Sequence, residues 1–195
     1  MKSFKLLLEE FDKVLKEYNL QNYNKLKPPL LLAEINTCFD KLNINDESLH
    51  LLYEWKDGFD AYNRPNEVCS IMKFDTFYSL ESVKQLINYY SDGEVWPGNS
   101  FIPIINDGCG SFIMFNNKPG IDYGKLCLYS PSLLFVEPIT YYDSVYTMVE
   151  TTIEAYKQEI FVYDQAIYFL DVDIDRFHEI GKKINKHSKY WTHKH

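Results

Sequence analysis

Asp171-Val172-Asp173-Ile174-Asp175 sets three carboxylates at alternate positions, the opening of a calcium-binding loop. Such a loop needs a Gly at its sixth position and a bidentate Glu at its twelfth. Arg176 and Lys182 stand there instead, so the acids read as a solvated strand end and a helix cap. Asp107-Gly108-Cys109-Gly110 is rich enough in glycine to cradle a phosphate, but that chemistry needs the turn to open a helix. An apolar strand pattern follows, which makes it a tight hairpin turn requiring positive φ. His178-Glu179 lacks a second His one turn on, and His187, His193 and His195 read as a frayed tail. Cys38, Cys69, Cys109 and Cys127 show no C-x-x-C spacing and read as reduced thiols. No Gly-x-Ser-x-Gly elbow is present. The residues thus predict no catalytic centre, no metal and no cofactor.

The elements around these residues follow from hydrophobic periodicity. Phe4, Leu7, Leu8, Phe11, Leu15 and Tyr18 recur at helical spacing. Positions 19 to 27 are polar, and Pro28-Pro29 closes that stretch. A helix carries Ile35, Phe39 and Leu42. The next starts near Asn45, buries Leu49, Leu52 and Trp55, and stops at Gly58. Ser70 to Phe74 reads as one strand, and Ser79 caps a helix that ends by Asp92-Gly93. Phe101 to Ile105 and Ser111 to Phe115 form a hairpin, with Pro103 predicting an edge or an irregular start. Lys125 to Tyr129 and Leu134 to Pro138 are further strands. Val145, Met148, Val149, Thr152, Ile153 and Tyr156 form one helical stripe. Ile160 to Tyr163 and Ile167 to Leu170 could pair, and a last helix from about Asp173 buries Phe177, Ile180 and Ile184. Helices, then consecutive strands, then helices predict an α+β fold with a mostly antiparallel meander sheet.

Composition narrows the class. The 195 residues are 46% hydrophobic with 16 Tyr and 13 Phe, enough for a sizeable core. No apolar run approaches the roughly 18 to 20 residues of a membrane span, and no signal peptide is apparent. The chain therefore reads as cytoplasmic. A net charge of -8 with two arginines argues against direct nucleic-acid binding and suits a basic partner. Between Lys157 and Ile180 six acids meet two bases amid many aromatics, a mixture used at protein interfaces.

Several segments together resemble the SUKH superfamily, which includes Smi/Knr-type cell-wall-assembly regulators and bacterial immunity proteins. The first is Pro28-Pro29 with the stripe Ile35, Phe39, Leu42 and then Ser48 to Gly58. The second is Met72-Lys73-Phe74 with Tyr78-Ser79-Leu80-Glu81-Ser82-Val83. The third and most specific is Trp96, then Phe101-Ile102-Pro103-Ile104-Ile105, then Asp107-Gly108-Cys109-Gly110-Ser111. The fourth is Ile184-Asn185 with Tyr190-Trp191. The chain departs from the family pattern at Asp57, Ser111 and Lys186.

The resemblance implies a SUKH-like single domain: an N-terminal helix over 1–25, a core over 26–156, and an extension over 157–195 packed on it. It implies a non-catalytic immunity protein that binds a cognate toxin through a shallow concave surface, with a regulatory scaffold as the alternative. The contact residues expected from charge and aromaticity are Tyr141, Tyr142, Asp164, Asp171 and Asp173, with Trp55 and Trp96 as core or cleft wall.

Overall fold

The structure, a computed structural model, describes residues 2–64, 67–90, 97–98, 100–133, 135–164 and 169–192. Four helices come first: α1 (Phe4–Tyr18), α2 (Leu20–Tyr23), α3 (Leu32–Leu42) and α4 (Glu47–Trp55). Strands β1 (Ser70–Met72) and β2 (Asp75–Phe77) lead into α5 (Leu80–Tyr90). Next come β3 (Phe101–Asn106), β4 (Phe112–Asn116), β5 (Leu126–Ser130) and β6 (Phe135–Tyr142). The chain continues through α6 (Val145–Lys157), β7 (Phe161–Asp164), β8 (Phe169–Val172), α7 (Ile174–Ile184) and α8 (Lys189–Thr192).

The strands form an antiparallel meander in the order β1-β2-β3-β4-β5-β6, with β7-β8 as a separate hairpin. This is the mixed α+β architecture expected from the order of elements. Every residue of β4 and β5 is buried, so both faces of the sheet centre are covered. One contiguous core runs from Leu7 of α1 to Trp191 of α8, so the first helix and the extension share it with the middle of the chain.

The sheet is rolled. Phe74, in the β1–β2 turn, packs edge-on against Tyr141 of β6 with ring centroids 5.3 Å apart. Across a flat sheet, β2 and β6 would be roughly 19 Å apart at the usual strand spacing. Trp191 and Tyr190 each place a ring 4.5 Å from that of Tyr141.

Side-chain donors occupy two main-chain carbonyls on each edge strand. At β1, Asn19 and Asn22 donate their amides to the Ser70 carbonyl at 2.7 and 3.1 Å, and the Tyr156 hydroxyl donates to the Ile71 carbonyl at 3.0 Å. At β6, the Ser188 hydroxyl donates to the Thr140 carbonyl at 2.6 Å and the Trp191 indole N–H to the Tyr141 carbonyl. Such groups, left open, would template pairing with another chain.

Several sequence expectations change. The polar stretch after α1 contains α2, and Asn19 and Asn22 are 1% and 0% exposed because they cap β1. Asp46, not Asn45, caps α4, accepting the Leu49 N–H at 2.8 Å. That helix ends at Trp55, three residues before Gly58, and Trp55 is only partly buried, donating to Asp12 at 3.2 Å. The Ser70–Phe74 strand is a hairpin arm with its turn at Lys73-Phe74. Pro103 lies on an interior strand, beside a register shift between Pro103 and Ile105. The strand expected to end at Pro138 continues to Tyr142. The tail does not fray over its described part, since Ser188 and Trp191 are buried. Asp92, Gly93, Trp96, His193 and His195 lie outside the described residues.

Candidate functional site

At one end of the sheet, the β1–β2 turn, the β3–β4 turn and the β8–α7 junction enclose a groove of about 480 Å³. Its floor is apolar, with Met72 and Leu170 at 1% and 2% exposure. Leu133 and Ile174 also line it and remain 60% and 56% exposed. Asp75, Asp107, Asp171 and Lys73 bring the charge.

Each wall is fixed by local chemistry. The Asn106 carbonyl oxygen (Oδ1) accepts the Gly108 N–H at 2.7 Å. Asp107 Oδ1 accepts the Cys109 and Ser111 N–H groups at 2.8 and 2.9 Å. Gly108 and Gly110 take positive φ of 71° and 95°, the turn expected from the sequence. The opposite turn achieves its reversal without glycine: Phe74 and Asp75 have φ of 71° and 60°. A left-handed backbone costs a residue with a Cβ about 1–2 kcal/mol, so the packing of Phe74 on Tyr141 must hold it there.

Burial raises the Asp75 carboxyl above the usual range, partly countered by a 2.8 Å hydrogen bond from Ser70 Oγ and by the charge of Lys73. Burial lowers the Lys73 ammonium. A carboxyl whose folded pKa is raised binds more protons folded than unfolded. Its ionisation therefore weakens the fold as pH climbs from the unfolded pKa, about 3.9, through the folded one. Asn lacks that penalty, and Asn and Asp alike are enriched at positive φ. Asp75→Asn is accordingly expected to raise the thermal midpoint at pH 7, and the gain should fade below about pH 4. A gain independent of pH in calorimetric scans would assign the effect to backbone conformation alone.

The five expected contact residues divide. Asp171 is exposed on β8 and lines the groove. Asp173 is exposed beside it and caps α7, its Oδ1 accepting the Arg176 N–H at 3.2 Å. Asp164 is exposed further along the hairpin, opposite Phe169, and does not line the groove. Tyr141 and Tyr142 cannot be contact residues: they are 2% and 1% exposed, enclosed by the roll of the sheet and by Trp191. Burial holds the Tyr142 hydroxyl far above the usual phenol range.

Asp107, Leu133 and Ile174 join the site without having been singled out for it. Asp107 read as turn chemistry, and the two aliphatics carry no local sign that they stay in water. Among the described residues, no group of three or more His, Cys, Asp or Glu could hold a metal ion, and no helix is long and apolar enough to cross a membrane. No family model matches this chain, and no curated protein matches it.

Proposed function

We propose that this chain is a SUKH-type immunity protein that binds and neutralises a cognate bacterial toxin by protein–protein contact. The observation that supports this reading best is the groove beside Asp171. It joins a buried apolar floor, two exposed aliphatic side chains and a surplus of carboxylates in one concavity. Interfaces combine such features. The segments that carry the family resemblance also have coherent structural roles. Gly58 makes a close backbone approach, residues 107–111 form the groove turn, and Asn185 is buried with its amide on Thr151 and Gly181. Asp57, where the family pattern favours Asn, is a buried ion-pair partner of Lys27 at 2.8 Å and accepts the Leu80 N–H at 2.9 Å.

A net charge of -8 favours fast capture of a basic toxin such as a nuclease, because opposite potentials steer encounter. The test takes any large secreted protein encoded beside this chain's gene as the candidate toxin. Asp171→Lys combined with Asp173→Asn shifts the net charge by three units towards positive and keeps a capping side chain on α7. Surface plasmon resonance should show association slowed by about tenfold at low salt, with an unchanged melting temperature. Identical association rates would exclude this patch. If no neighbouring toxin is bound or inhibited, the immunity reading falls and the Smi/Knr-type scaffold becomes the better one.

A further inference from the structure

We infer that the groove beside Asp171 is the docking site itself, and that it takes a partner segment bearing lysine or arginine side chains, with their stems on Leu133 and Ile174 and their charged heads at Asp171 and Asp107. This deepens the proposed function and rests on it for the identity of the partner.

Three observations carry the assignment. First, charge: three aspartates line the groove against one lysine, so a cationic side chain finds more complement there than an anionic one. Oδ1 of Asp107 is committed to its own turn and Oδ1 of Asp171 accepts the Val172 N–H at 2.9 Å. The second oxygen of each has no hydrogen bond among the described residues. Second, shape: Leu133 and Ile174 offer apolar surface beside those carboxylates, matching a side chain whose stem is aliphatic and whose tip is charged. Third, mode: the Ser70 and Ile71 carbonyls of β1 are already taken by Asn19, Asn22 and Tyr156. Those carbonyls are closed to strand addition at β1, which favours recognition through side chains.

Cys109 provides the readout. It lines the groove and is exposed, while Cys38, Cys69 and Cys127 are buried. Alkylation by iodoacetamide therefore reports on occupancy of this groove. The probe is a nine-residue synthetic peptide in which lysines alternate with leucines and glycines, and its control carries glutamate in place of lysine. Saturating lysine peptide should slow alkylation of Cys109 about fivefold or more, the equivalent of about 1 kcal/mol of protection. The glutamate peptide should leave the rate unchanged, and Asp171→Lys/Ile174→Ser should abolish the protection. Equal protection by both peptides, or protection that survives the double substitution, overturns the inference.

The outcomes separate the site from the function. Protection by the lysine peptide with no toxin neutralised supports the groove and removes the immunity reading. Neutralisation of a toxin with Cys109 equally reactive in free and complexed protein overturns the groove and leaves that reading standing.

Discussion

Gly58→Ala is expected to destabilise the protein by on the order of 4 kcal/mol, a large share of the roughly 5–15 kcal/mol that holds a typical domain folded. Gly58 has φ of +64°, and an added Cβ would lie 2.5 Å from both the carbonyl carbon and oxygen of Tyr78 and 2.7 Å from the Phe77 oxygen. The left-handed conformation alone accounts for about 1–2 kcal/mol. The remainder comes from overlap with main-chain atoms, which have no rotamer to escape into. The neighbouring peptides are also pinned. Lys27 N–H donates to the Gly58 carbonyl at 2.7 Å, Phe59 N–H to the Phe77 carbonyl at 2.7 Å, and Ser79 N–H to the Phe59 carbonyl at 3.0 Å. Urea denaturation followed by circular dichroism measures the change. A loss below about 1 kcal/mol would mean that the segment after α4 can slide away from β2 freely.

Trp191→Ala should cost about 3–5 kcal/mol, the range for removing a large buried aromatic. Trp191 is 2% exposed and its ring lies 4.5 Å from Tyr141, 4.9 Å from Tyr190 and 5.8 Å from Phe177. Truncation opens a cavity there and strips the Tyr141 carbonyl of its indole donor. Trp191→Phe should fall between the two proteins, since it keeps part of the volume and loses the N–H. Gly181→Ala should reproduce much of the loss from the other side, because its Cβ would sit 2.7–2.8 Å from three ring carbons of Trp191. Chemical denaturation of the three variants checks the ranking. An alanine variant as stable as the parent would show that α8 contributes nothing to the core.

Local pattern carried much of the fold. The helical stripes of α1 and α6 and the turn chemistry of Asn106 to Gly110 were legible, because each is decided by neighbours in sequence. What escaped is decided at long range. Lys73-Phe74 holds no Gly or Asn to mark a reversal, and the positive φ of Phe74 comes with its ring packed on Tyr141 of β6. Tyr141 and Tyr142 sit in a polar, acidic neighbourhood of sequence and looked available. Only the roll of the sheet and the arrival of Trp191 take them out of water. Asn19 and Asn22 read as loop polarity, yet their amides serve a carbonyl about fifty residues away. Of the groove lining, Asp171 is singled out by its charge, whereas Leu133 and Ile174 are not, since exposure of a single aliphatic has no local signature.

The two seals on the sheet are not made at the same moment. Asn19 and Asn22 leave the ribosome before β1 does, so the Ser70 carbonyl meets its donors at once, whereas the Ile71 carbonyl waits for Tyr156, 85 residues on. Ser188 and Trp191 follow β6 by nearly fifty residues. At roughly 5–20 residues per second, the nascent chain carries a bare strand for several seconds. An open edge of this kind can pair with another chain, and slow codons between β6 and α8 would prolong its exposure.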